Sequence, residues 1–140
     1  MPVSRTSART EALLARVVSL YLAARFAPPT PLEASRFLGA PPDAIEAMLA
    51  LAIERDVVVR VTSDLLFHSD AVAEARSLIA GTEDGVTPSQ FRDLTHSTRK
   101  FAVPLLEYLH RSGLTERRGD RHVAAAPRVG AFAAARRSDP

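Results

Sequence analysis

The sequence predicts a mainly α chain with small β-hairpins, an α+β class, in which one unit is built twice. Three observations predict it. Apolar residues recur at helical spacing in several stretches. Two capping boxes, Thr30-Pro31-Leu32-Glu33 and Thr87-Pro88-Ser89-Gln90, stand 57 residues apart. After each box come a longer helical stretch and then two short strand-like runs joined by a turn.

The elements follow in order. Residues 1–7 read as a loose tail. Leu13, Val17, Leu20, Tyr21 and Ala24 give residues 9–26 a helical stripe, and Ala27-Pro28-Pro29 stops it. In the first capping box Thr30 accepts from a backbone donor, Glu33 reaches back to the cap, and Pro31 suits the first helical position. That helix ends at Gly39. Pro41-Pro42-Asp43 opens the next, which runs to about Arg55 with Ile45, Met48, Leu49 and Ala52 on one face. The β-branched run Val57 to Val61, a turn at Thr62-Ser63-Asp64 and the run Leu65 to His68 make a hairpin.

The pattern then restarts. A helix from about Asp70 to Ala80 ends at Gly81. The second capping box follows, with Gln90 in the role of Glu33. A long helix from about Thr98 to Arg111 ends near Gly113. Two strands, Leu114 to Arg118 and Arg121 to Ala125, turn at Gly119-Asp120. At the 57-residue offset Leu49 aligns with Leu106, and Asp64 falls within one position of Asp120. Helix, helix, helix, strand, strand, twice over, defines tandem winged-helix (winged helix-turn-helix) domains. They are expected at residues 8–69 and 70–125, with a tail at 126–140. Each is near the lower size limit for independent folding, so the two should pack together through the helix near 70–80 and unfold cooperatively.

Composition narrows the function. The chain has 140 residues and no cysteine, which excludes a disulfide framework, a zinc finger and a cysteine nucleophile. No apolar run approaches a membrane span and the first ten residues lack a signal core, so a soluble cytoplasmic protein without a membrane partner is expected. The net charge is +2, unevenly spread: residues 1–70 hold 7 basic and 8 acidic groups, residues 71–140 hold 11 and 8. Arginine supplies 17 of the 18 basic side chains, and guanidinium forks suit phosphate. The charge implies a local anionic contact in the second half.

Ser97 to Val123 carries that contact. Arg99 and Lys100 fall in the first turn of the second long helix, where the helix dipole disfavours cations and backbone donors favour an external anion. Ser97 and Thr98 flank them. Arg117, Arg118, Arg121 and His122 sit on the second hairpin, where Arg117 and Arg118 must point to opposite faces. Arg92, on the preceding helix, extends the patch or pairs with Asp93, Glu107 or another acid. Phe101, Leu105, Tyr108 and Leu109 have the spacing of a buried face, and Pro104 should bend the helix. His68, His96, His110 and His122 lack metal-ligand spacing, and no phosphate-loop, dinucleotide or nucleophile-elbow motif occurs. Neither an enzyme nor a cofactor is expected.

Three segments, GVTPSQFRDL (85–94), STRKFAVPLLEYLHRSGLTERRGDRHV (97–123) and VVVRVTSDLLFHSDAV (57–72), resemble the C-terminal winged-helix repeats of the bacterial selenocysteine-specific elongation factor SelB. The resemblance covers roughly 10–125. It implies an RNA-reading region that binds an mRNA hairpin, the selenocysteine insertion element beside a UGA codon. It implies further partners in the ribosome and in the GTPase and tRNA-binding domains of a parent factor, and a monomer. Arg99, Lys100 and the wing arginines match the family's basic surface. The chain departs at His110, commonly acidic, and at Glu116, commonly basic; the latter weakens phosphate attraction at the wing. The first repeat has Ala40 to Asp43 where the second has Ser97 to Lys100, so it should act as a spacer, with weak contact through Arg55 or Arg60. A DNA-binding transcriptional regulator reading the major groove with residues 98–111 is the alternative. A protein-docking module using Val129 to Ala135 is the third.

Overall fold

The computed structural model describes residues 4–125. Its elements are α1 (Ser4–Ala24), α2 (Pro31–Leu38), α3 (Pro42–Glu54), β1 (Val58–Thr62), β2 (Leu65–His68), α4 (Ser69–Ala80), α5 (Pro88–Leu94), α6 (Arg99–Arg111), β3 (Thr115–Arg118) and β4 (Arg121–Ala124). The mainly α class with two small hairpins is the one the sequence predicts. The expected tail at 126–140, with Val129 to Ala135, lies outside the described residues.

One boundary differs from expectation. α1 reaches back to Ser4, into the stretch read as a loose tail. No glycine or proline interrupts Ser4 to Ala24, and alanine and arginine are good helix formers, so nothing local stops it. It ends where Arg25 turns into left-handed geometry at φ 50°.

Both capping boxes form. The Glu33 amide donates to Thr30 Oγ1 at 3.1 Å and the Thr30 amide to Glu33 Oε1 at 2.9 Å. The matching bonds between Gln90 and Thr87 are 3.2 and 3.0 Å. Gly39 closes α2 in left-handed geometry, where its amide donates to the Ser35 carbonyl.

The internal repeat is exact in the core of the long helices. α3 buries Ile45, Met48, Leu49 and Ala52; α6 buries Ala102, Leu105, Leu106 and Leu109, each 57 residues on. This corrects the expected face of α6: Phe101 and Tyr108 are only half-buried, flanking a stripe centred on Leu105 and Leu106. Pro104 lies inside the helix and offers no amide to the Lys100 carbonyl one turn back.

Both hairpins are antiparallel, with Arg60 opposite Leu66 in the first and Arg117 opposite His122 in the second. Val86 adds a short third edge to the second. Its amide donates to the His122 carbonyl at 2.9 Å and its carbonyl accepts the His122 amide at 2.8 Å. Gly85, at φ 81°, permits this approach, because a Cβ there would overlap the His122 carbonyl and the Val123 side chain.

Two apolar clusters form the interior. One gathers α1, α2, α3, Val58 and Leu66; the other gathers α4, α5, α6 and Val86. The second also takes Phe26, Val61 and Phe67 from the first half of the chain. β2 explains the join. Successive strand residues point to opposite faces, so Leu66 enters the first cluster and Phe67 the second. The hairpin of the first unit is thus a wall shared by both cores, and α4 packs on β1, β2, β4 and α6. Among the described residues no helix is long and apolar enough to cross a membrane.

Candidate nucleic-acid interface

The first turn of α6 is an exposed basic corner. Thr98 is its N-cap in extended geometry, but its side chain makes no cap hydrogen bond, and the turn contains no acidic residue. The Thr98 carbonyl accepts the Phe101 and Ala102 amides at 3.1 and 2.8 Å. Thr98, Arg99 and Lys100 are all exposed. Among the described residues neither Arg99 nor Lys100 enters an ion pair; the Lys100 ammonium lies 5.1 Å from the centre of the Phe101 ring. Two cations at the positive end of a helix dipole cost roughly 0.3–1 kcal/mol each. An anion bound there would offset that cost and accept from the uncapped amides.

The remaining candidates are tied down to different degrees. The Ser97 hydroxyl donates to the Phe26 carbonyl at 2.7 Å, so it serves a contact within the protein. Arg92 donates to Asp93 Oδ1 at 3.1 and 3.2 Å and to Ser89 Oγ at 3.1 Å, the local pairing that the sequence left open. On the wing, Arg117 and Arg118 are exposed. Arg117 Nε donates to the Gly119 carbonyl at 3.1 Å, and Arg118 lies 3.5 Å from Glu116. Arg121 is half-buried and reaches Gln90 Oε1 at 3.2 Å, which ties the wing to the start of α5.

His122 is on the wing but faces inward, with 6% of its surface exposed. It stands opposite Arg117 as Leu66 stands opposite Arg60, so it takes the core-facing position of the hairpin. Burial, the neighbouring Arg117 charge and then His110 hold its pKa below the usual 6.5. Its Nδ1 is buried without a hydrogen-bond partner.

Between α6 and the wing lies a cavity of about 340 Å³ lined by Pro88, Val103, Leu106, Glu107, His110, Arg111, Arg117 and His122. The His110 and His122 rings meet edge to face at 6.2 Å. Sequence spacing alone scattered these histidines; pairing β4 back onto α6 brings them together. Among the described residues no cluster of three or more His, Asp and Glu could hold a metal. Sequence reasoning also missed Arg111. It lies 5.7 Å over the Tyr108 ring and donates to the Val61 carbonyl at 3.4 Å, tying α6 to the first hairpin. Its place in the last helical turn was the available signal, since cations favour that end.

Two units of three helices and a hairpin, with an exposed basic pair that enters no ion pair among the described residues at the start of the second unit's long helix, define a tandem winged-helix protein. Comparison with known proteins narrows the type. Residues 77–124 match the family model described as "Elongation factor SelB, winged helix". A selenocysteine-specific elongation factor of Desulfomicrobium baculatum is 33% identical over 105 residues, 72% of this chain, and one of Escherichia coli K12 is 27% identical over 88 residues, 61% of this chain. The chain spans only 16% and 14% of those relatives' lengths. The fold matches the mRNA-binding domain of E. coli SelB, solved in complex with SECIS RNA, with TM-score 0.69 at 23% identity over 84% of this chain and 97% of that one. It matches a bacterial selenocysteine-specific elongation factor EF-Sec with TM-score 0.69 at 22% identity over 88% of this chain and 20% of that one. The chain therefore carries a winged-helix region of the SelB type, as its motifs indicated.

Proposed function

We propose that this chain is the messenger-reading region of a selenocysteine-specific elongation factor, and that it binds an RNA hairpin by contact rather than chemistry. The observation that carries this reading is the exposed, uncapped first turn of α6 with its unpaired Arg99 and Lys100. The solved relative of the same fold was determined with SECIS RNA, which favours RNA over duplex DNA.

A-form RNA hides its base edges, so a reader of this kind takes loops, bulges and backbone shape. Thr98, Arg99, Lys100 and the turn's amides would hold loop phosphates. Arg117 and Arg118 would add charge at the wing, reduced locally by Glu116. The cavity between α6 and the wing would receive an unpaired base. Ser97, Arg92, Arg121 and His122 would support this surface from within, since their polar groups already serve the protein or are buried. Residues 8–69 and 70–125 would be the two winged-helix domains, acting in the cytoplasm as a monomer. In a parent factor the hairpin would tether GTPase and tRNA-binding domains at the ribosome, raising their local concentration at the UGA codon.

A gel-shift comparison of a selenoprotein-message hairpin, an unrelated hairpin and duplex DNA tests the reading. The first should bind most tightly, with affinity falling linearly against log salt. Equal binding of all three, or preference for duplex DNA, would refute it.

A further inference from the structure

We infer that the first repeat positions the anion-contacting turn of the second through a latch made by Phe26 and Ser97. Phe26 follows the left-handed Arg25 that ends α1, and this turn throws its ring out of the first unit. The ring is 4% exposed and packs in the second cluster with Phe91, Ala102 and Leu105. Its carbonyl accepts the Ser97 hydroxyl at 2.7 Å across 71 residues of sequence. The Ser97 amide meanwhile donates to the Arg92 carbonyl at 3.0 Å at the end of α5. Arg25 pairs with Glu74 of α4 at the same corner.

Ser97 directly precedes Thr98, the N-cap that makes no side-chain cap bond. A helix start without its own cap frays, so the position of its first turn depends on what holds the residue before it. Ser97 is that residue, held by α5 through its backbone and by the first repeat through its side chain. The latch belongs to the second copy alone. At the 57-residue offset Ala40 replaces Ser97, and its side chain has no hydroxyl to donate. Ser97 and Phe26 are thus positioning residues for Arg99 and Lys100, and the first repeat is more than a spacer.

The test uses the full chain. Amide exchange in the free protein should accelerate about fivefold or more at Phe101 and Ala102 in Ser97→Ala, the size of one lost hydrogen bond. Amides near Leu109 should not change, and Ser97→Thr should restore protection. Phe26→Leu, which keeps the core filled, should act in the same direction. Unchanged exchange at the first turn in Ser97→Ala would overturn the latch, whatever the chain binds. The second arm rests on the RNA reading. Ser97→Ala should weaken hairpin affinity about threefold to fivefold, and this loss should vanish in an Arg99→Ala, Lys100→Ala background. Additive losses would show that Ser97 acts independently of the basic pair and would overturn its positioning role. No hairpin affinity in the unaltered chain would refute the RNA reading while the exchange result still decides the latch.

Discussion

α3 and α6 occupy the same place in two copies of one unit, and they bury side chains at matching positions. Their exposed ends differ. α3 opens with Pro41 as N-cap, Pro42 at the first position and Asp43 in the first turn. α6 opens with Thr98, Arg99 and Lys100 and has no acid there. The proline and the acid suit a helix start and the dipole behind it, as a structural helix requires. The basic pair opposes that dipole, which is the cost that the proposed RNA contact would offset. The hairpins differ in the same sense. Arg60 of the first lies 3.1 Å from Glu46 and Arg55, just before that hairpin, lies 2.9 Å from Glu11, whereas Arg117 at the matching position in the second donates only to a turn carbonyl. The contrast is local to the matching positions, since Arg118 of the second hairpin lies 3.5 Å from Glu116.

Four experiments would break or sharpen that contrast. The largest effect should come from Phe67→Ala. Phe67 belongs to the first hairpin but fills the second core, and truncation should cost about 3–5 kcal/mol. Chemical denaturation should still show one transition; two separate transitions would mean the copies are independent. For the same reason a truncation to residues 70–125 is a poor test of the second copy, since it removes Phe26, Val61 and Phe67 from that core.

Next is the basic pair. Arg99→Ala with Lys100→Ala should lower hairpin affinity more than about tenfold at moderate salt, and flatten the salt dependence by about two released counterions. Arg55→Ala with Arg60→Ala should change it less than about twofold, because both are engaged within the first copy. Equal losses in a binding titration would erase the distinction between the repeats.

Gly85→Ala should destabilise by roughly 1–3 kcal/mol, because the position needs positive φ and close approach to His122. A thermal midpoint within a degree of the unaltered chain would contradict the three-edged wing.

The smallest effect concerns His122, whose counterpart in the first hairpin is Leu66. Its folded pKa lies below 6.5, so the unfolded chain takes up a proton first as pH falls. The folded state should therefore hold its full stability above pH 6.5 and lose some below it. His122→Leu should remove that loss and satisfy a buried position that now holds an unpartnered nitrogen, a gain of about 1 kcal/mol. Melts at pH 5 and pH 8 check both points; an unchanged difference between them would clear His122.

Much of this was legible without coordinates because it is local. Capping boxes, proline at helix starts, Gly39 after α2 and β-branched runs act within a few residues, so the helices and hairpins stand close to where the sequence puts them. The basic pair was equally legible, since a helix start is readable from its own first turn. What neighbours across space do was not. Spacing puts Phe101 and Tyr108 on the buried face, yet the core centres on Leu105 and Leu106, with those two rings half-buried at its edge.

Two copies of a helix-rich unit and the uneven spread of charge between them are readable in the chain alone, because periodicity, caps and charge are properties of short segments. Only the tertiary structure decided that Phe26 crosses into the second core, that Ser97 bonds to its carbonyl and that His122 faces inward. These depend on which surfaces meet, and contacts spanning 71 residues of chain have no local signature.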